Sequence, residues 1–364
     1  MTKTKDEILS LLKGVANSRD CVPSMIGILR DNIQRKEYVN HANNQYISIW
    51  DQVGQSFAGS DRLNEAILIF ETLYEELTMS QIENGCYIPK GLPLVWMRDY
   101  CLKLNKPWLA QKYIILTIIE DAIANKGNIN LDSTGSYFRA VWYQNIKDAQ
   151  FKDIASKAYS CFKTNNNFGR FPEWVLLNIS NEISITTPSD NEINNFVINA
   201  PFAKYWFDTI CNSKKKNGTD LEDFCAFLLM GMPGFEVKRR ISTRDYHYDI
   251  LIRNKSFAKD FRQDFGNYIA AECKNWSKMI GVQEIAYFTS KLVFQDIKSG
   301  IIFSQKGLSG KGEYKEATLT VLKSFYKTGN IIMIINKKDI YETIKNRNFI
   351  NILQTKYEEA RFSL

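Results

Sequence analysis

Histidine is almost missing from this 364-residue chain, which has only His41 and His247. Cysteine occurs seven times, at positions 21, 86, 101, 161, 211, 225 and 273, and never as a CxxC pair. This odd, scattered set argues against a zinc site or a disulfide framework and leads us to expect a reducing, cytoplasmic setting. Long apolar runs are missing too. No stretch approaches the roughly 18 residues that cross a bilayer, so no membrane partner is expected. Residues 2–7 are polar and lead into an amphipathic helix, not into the apolar core of a secretory leader. A Walker-type run is also absent. The nearest candidate, Gly307-Leu-Ser-Gly-Lys-Gly312, lacks both the GxxxxGK spacing and the following Ser or Thr that would cradle a nucleotide phosphate.

What is present is enough apolar material for real cores: 45% hydrophobic and 13% aromatic residues. That composition argues against wholesale disorder, and the length suggests two domains. The net charge of +7 is unevenly placed. Residues 201–364 hold 27 Lys and Arg against 18 Asp and Glu, a balance of +9, whereas residues 1–200 hold 20 against 22, a balance of −2. A basic C-terminal half suits a polyanionic partner.

Apolar residues recur at three- and four-residue steps in 8–12, 26–33, 63–77, 92–104 and 108–124, which predicts helices throughout the first part of the chain. Trp50, Val53, Gly54, Phe57, Ala66 and Phe70 follow the spacing of the tetratricopeptide pattern, in which small residues let two antiparallel helices approach closely. Later positions depart from it, with Leu73 where alanine is usual and Thr78 where proline is. The region resembles tetratricopeptide-type helical repeats; a generic helical bundle is the alternative. A domain of 1–205 is therefore expected to be helical and to bind a protein partner, sense a signal or mediate homo-oligomer assembly.

The polar run Ser213-Lys-Lys-Lys-Asn-Gly218 marks the clearest seam. Beyond it helices and strands alternate: a helix over 219–230, strands over 235–241, 246–253 and 268–274, a helix over 282–297, a strand over 300–303, a helix over 316–326, a strand over 331–335 and a closing helix over 340–352. This order describes a mixed sheet flanked by helices. The expected fold is thus multidomain, an all-α N-terminal domain followed by an α/β domain over 206–364.

An acidic residue two positions before a lysine occurs four times, at Glu236, Glu272, Asp296 and Glu313, about what chance gives. Only Glu272-Cys273-Lys274 closes an apolar strand and follows an acid, Asp249, embedded in another apolar strand. Strand side chains alternate faces, so Glu272 and Lys274 project to the same side. Pairing the Asp249 strand against them brings a second carboxylate near. Two bare carboxylates about 4 Å apart repel by roughly 4 kcal/mol at an effective dielectric near 20. A hard divalent cation turns that repulsion into a binding site, with the Cys273 carbonyl a further oxygen ligand.

With Gly218-Thr-Asp-Leu-Glu222, Gly234-Phe-Glu-Val, Asp249-Ile-Leu-Ile and Ala271-Glu-Cys-Lys-Asn-Trp276 in that order, residues 214–355 resemble the PD-(D/E)XK nuclease superfamily. They are most similar to its Mrr-like branch, found in modification-dependent restriction enzymes and other antiphage nucleases. The resemblance implies a restriction-endonuclease-like fold and magnesium-dependent hydrolysis of DNA phosphodiester bonds, with manganese able to substitute and RNA not ruled out as substrate. It also implies Asp249 and Glu272 as metal ligands, Lys274 as the catalytic lysine and Glu222 as a helical acid joining the site. One departure is Tyr248, where the motif has proline.

Blander readings compete at each position. Glu222 closes a capping box with Thr219 in the pattern Thr219-Asp-Leu-Glu222. Asp249 could be an ordinary strand acid, and Glu272 with Lys274 a same-face ion pair. His247, Gln283 and the lysines Lys306, Lys311 and Lys315 are read as local or solvated groups. As a whole, a non-cleaving DNA-binding module, or an adaptor whose nuclease-like domain lies dormant until a partner acts, is the competing reading.

Overall fold

The computed structural model describes residues 3–16, 21–39, 44–125, 148–164, 168–180, 187–192, 196–214, 217–244, 246–256, 263–274, 279–309 and 316–362. The chain divides into two compact units, Met1–Thr186 and Thr187–Leu364.

The first unit is helical: α1 (Lys5–Val15), α2 (Cys21–Asn32), α3 (Gln45–Gly59), α4 (Leu63–Asn84), α5 (Gly91–Lys103), α6 (Pro107–Ala124), α7 (Asp148–Thr164) and α8 (Pro172–Ile179). Local chemistry sets several of the ends. Thr4 and Glu7 form a capping box before α1, Asn44 accepts from the amides of Tyr46 and Ile47 at the start of α3, and Pro107 opens α6 where its missing N–H is not needed. Gly54 of α3 lies directly against the Phe70 ring of α4. A Cβ there would come within 2.3 Å of the ring, so only glycine permits this approach. At Thr78, where the repeat pattern has proline, the hydroxyl bonds back to the Tyr74 carbonyl at 2.9 Å and α4 runs on to Asn84. Proline would have ended the helix.

The second unit begins ahead of the lysine run and not at it. Helix α9 (Ala200–Asn212) buries Phe202, Trp206 and Phe207. The rings of Trp206 and Phe207 pack on Phe224, in α10 (Gly218–Leu229), at 5.6 and 4.9 Å, and Phe207 meets Tyr341 at 5.1 Å. This aromatic packing places α9 with the second unit, and the division falls at 186/187, ahead of the 205/206 expected from sequence. Lys215 and Lys216 of the seam lie outside the described residues.

A five-stranded mixed sheet follows in the order β1 (Phe235–Ser242), β2 (His247–Asn254), β3 (Tyr268–Lys274), β4 (Ser299–Ser304), β5 (Ile331–Asn336). β1, β2 and β3 are antiparallel neighbours; β3, β4 and β5 are parallel. The parallel strands read as continuous apolar runs because helices cover both faces. On one face Cys273 of β3 meets Cys225 of α10. On the other, α11 (Val282–Phe294) comes so close to β4 that a Cβ on Gly300 would sit 2.5 Å from Phe288. α11 stops at Phe294, three residues before the expected end, and leaves Phe294 60% exposed, packed edge-on to Tyr246. Helix α12 (Glu316–Thr328) precedes β5. The single closing helix expected over 340–352 is two, α13 (Lys337–Asn346) and α14 (Phe349–Phe362), broken where Arg347 turns left-handed at φ 48°. The architecture is the expected combination of an α unit and an α/β unit.

Candidate active site

The register of β2 on β3 ends where Ile250 pairs with Ala271, and just beyond it Asp249 lies close enough to Glu272 for the two charges to act on each other. There the ladder gives way to a side chain. Asp249 Oδ2 accepts the Cys273 amide at 2.7 Å, which ties the first acid to the backbone between the second acid and the lysine. Glu272 is 6% exposed, and both of its oxygens are engaged. Lys274 donates to Oε2 at 2.9 Å, and Lys291 of α11 donates to Oε1 at 2.5 Å. Lys291 also donates to the His247 carbonyl at 2.7 Å and lies over the Tyr287 ring at 4.9 Å. Tyr248, at the position the motif gives to proline, is buried and donates to the Lys291 carbonyl at 3.3 Å.

The electrostatics follow from this crowding. Burial, then the charge of Glu272, push the Asp249 carboxyl up to about 6; the Cys273 amide opposes this and Glu222 adds to it. Burial alone would lower the Lys274 ammonium, but the charge and hydrogen bond of Glu272, with Asp249 behind them, raise it above the ordinary lysine range. The Cys273 thiol is pushed well up by burial and by Cys225, so its sulfur is not a metal-binding thiolate.

Glu222 is close enough for its charge to act on Asp249, but its Oε2 accepts from Arg240 Nε at 3.1 Å. Arg240 has φ 52°, a left-handed break in β1 opposite Asp249, and its side chain reaches both Glu222 and Asp223 of α10. The capping box expected at Thr219 is not made. Asn217 caps the helix instead, accepting from the Thr219 amide at 3.1 Å. The His247 ring is exposed and shares a 2.8 Å hydrogen bond with Ser242, as its local reading expected. Gln283 is exposed yet lines the cavity of about 300 Å³ that opens between Glu272, Lys274, Tyr287 and Ile302. Asn275 and Trp276, which complete the motif, and Lys311 and Lys315 lie outside the described residues.

Sequence reasoning missed Lys291 as a site residue. Its signal was a lysine inside the apolar stripe Ile285, Phe288, Leu292 of a helix, where a charge needs a buried partner. Among the described residues, no three His, Cys, Asp or Glu side chains are grouped as a ready metal site. The pair Asp249 and Glu272 nonetheless suits a hard divalent ion. One carboxyl is held up by burial and by the other's charge, and such ions use one or two protein carboxylates with water and phosphate completing the shell.

Residues 214–319 match the family model Mrr_cat, a restriction endonuclease domain of the PD-(D/E)XK type. No match was found among curated proteins or among solved structures.

Proposed function

Given a restriction endonuclease domain at residues 214–319, we propose that this protein is a magnesium-dependent endonuclease that hydrolyses DNA phosphodiester bonds, as part of a restriction or antiphage defence system. The observation that carries this reading is the meeting of Asp249, Glu272 and Lys274 at the adjoining ends of β2 and β3, beside a cavity large enough for a phosphate group. Asp249, Glu272 and the Cys273 carbonyl would hold the metal. A bound magnesium ion supplies positive charge to the phosphoryl oxygens and lowers the pKa of water.

The chain's own groups do the rest. Lys274, its pKa raised, is an ammonium at neutral pH, so its role is to orient the attacking water and offset the charge that grows on the phosphorus oxygens. The Cys273 amide fixes the Asp249 carboxylate. Glu222 adds negative charge behind Asp249 and is itself held by Arg240. The helical unit serves recognition, assembly or activation.

Cleavage of duplex DNA by the purified protein with Mg²⁺ tests this, alongside Glu272→Ala and Lys274→Ala. Each substitution is expected to lower the rate by about 100-fold or more. Equal cutting by all three proteins rules the reading out. The two lysines on Glu272 favour one second reading, a nuclease domain dormant until a partner frees that carboxylate. Its mark is a wild type that binds Mg²⁺ yet cuts only when a partner is added.

A further inference from the structure

A second cleft, of about 540 Å³, opens at the carboxyl ends of β4 and β5. Lys306 follows β4, Asn336 ends β5, and Lys337, Lys338, Tyr341 and Lys345 come from α13. Four lysines face a single glutamate, Glu342, across this space. Among the described residues none of the four is within ion-pair distance of a carboxylate and all four are exposed, although Lys337 lies over the Tyr341 ring at 5.7 Å and its charge reaches Asp208 below. The floor between them is tied to the helix beneath. The Tyr341 hydroxyl donates to Asp208 at 2.7 Å, and its ring sits edge-on to buried Phe207.

The register says where this cleft stands. Lys274 pairs with Ser304 and Ser304 with Asn336, so the end of β3 and the mouth of the cleft share one row across the sheet. Two strand spacings separate them, roughly 10 Å. One DNA strand rises about 3.4 Å per nucleotide, so that distance is about three nucleotides of backbone. Asn336, Lys337, Lys338, Tyr341 and Lys345 all lie beyond the segment that matches the endonuclease family.

We propose that this cleft is a second phosphate-binding station, which grips the DNA backbone a few nucleotides from the bond placed at Glu272 and Lys274. The choice of DNA rests on the nuclease reading above; the affinity of the cleft for a phosphodiester chain does not. Lysines act here as point charges, so the station contributes affinity and strand position and carries no sequence preference.

The test measures binding of a fluorescent 30-base-pair duplex to the full chain in EDTA, over a range of KCl concentrations. Three proteins are compared: wild type, Lys338→Ala/Lys345→Ala, and a control of equal charge change, Lys298→Ala/Lys323→Ala, whose exposed lysines lie away from the cleft. The cleft variant is expected to bind about tenfold more weakly near 0.1 M salt. The slope of log affinity against log salt should fall by about 2, roughly 0.9 for each lost phosphate contact. The control should keep the wild-type slope. An unchanged slope in the cleft variant, or an equal fall in both, overturns the proposal. Tighter binding of an RNA duplex, with the same loss of slope, overturns the assignment to DNA. Magnesium-dependent cleavage is read separately. A wild type that cuts, with no effect of the cleft lysines, sinks the station and spares the nuclease; a fall in slope with no cutting does the reverse.

Discussion

Glu272 divides its two oxygens between Lys274 and Lys291, and the second of these pairs is almost fully shielded from water. Removing one member of a buried pair leaves an uncompensated charge and costs about 3–5 kcal/mol. Here Lys274 remains on Oε2, so the loss in Lys291→Met should be smaller, about 2 kcal/mol. A divalent ion at Asp249 and Glu272 would restore the missing positive charge. The melting temperature of Lys291→Met is therefore expected to rise more steeply with added Mg²⁺ than that of the wild type, whose Glu272 already has two cations. Thermal unfolding over a magnesium titration measures this, and parallel increments in the two proteins would mean that Lys291 and the metal do not share a carboxylate.

At the scale of elements, α6 shows what happens when a helix is surrounded on nearly every side: Lys112, Glu120 and Asp121 are carried inward with its isoleucines. Asp121 is 4% exposed, its Oδ2 has no hydrogen-bond partner among the described residues, and burial, then the charge of Glu120, push its carboxyl up to about 8. An unfolded aspartate titrates near 4. Between those values the folded chain keeps a proton that the unfolded chain has released, so the contribution to stability is full below pH 4 and falls as pH rises to about 8. Asp121→Asn should abolish that fall, gaining on the order of 3 kcal/mol at pH 8 and almost nothing at pH 4. Denaturant unfolding of both proteins across this range checks the difference, and a gain independent of pH would assign it to packing. The helices and strands around such features were legible because their signals are local: apolar spacing, a proline at 107, a glycine at 54, an acid and a lysine two residues apart on one strand. What escaped depends on distant partners. Phe207 joins α9 to the second unit through Tyr341, 134 positions on, and Lys291 reaches Glu272 only because α11 presents that side of itself to the sheet. The left-handed turns at Arg240 and Arg347 use a residue type that gives no warning of them.

For the molecule as a whole, the division between units sharpens the charge asymmetry. Residues 187–364 hold 27 Lys and Arg against 20 Asp and Glu, a net +7, and residues 1–186 hold 20 of each. The entire net charge thus rides on the unit with the endonuclease domain, while the helical unit is neutral. Each unit also buries its own apolar core, from Trp50 and Phe70 in the first to Ile250 and Phe303 in the second, which is what separate folding requires. Expressed as separate fragments, residues 187–364 should bind duplex DNA with the salt slope of the full chain, because the whole positive balance that would release counterions lies there. Residues 1–186 should show no salt-dependent binding to the same duplex. Anisotropy titrations of both fragments against the full chain decide it. A salt slope carried by the neutral unit, or one in the full chain steeper than in its basic half, would mean that the helical unit touches the DNA backbone through a local patch that its overall balance conceals.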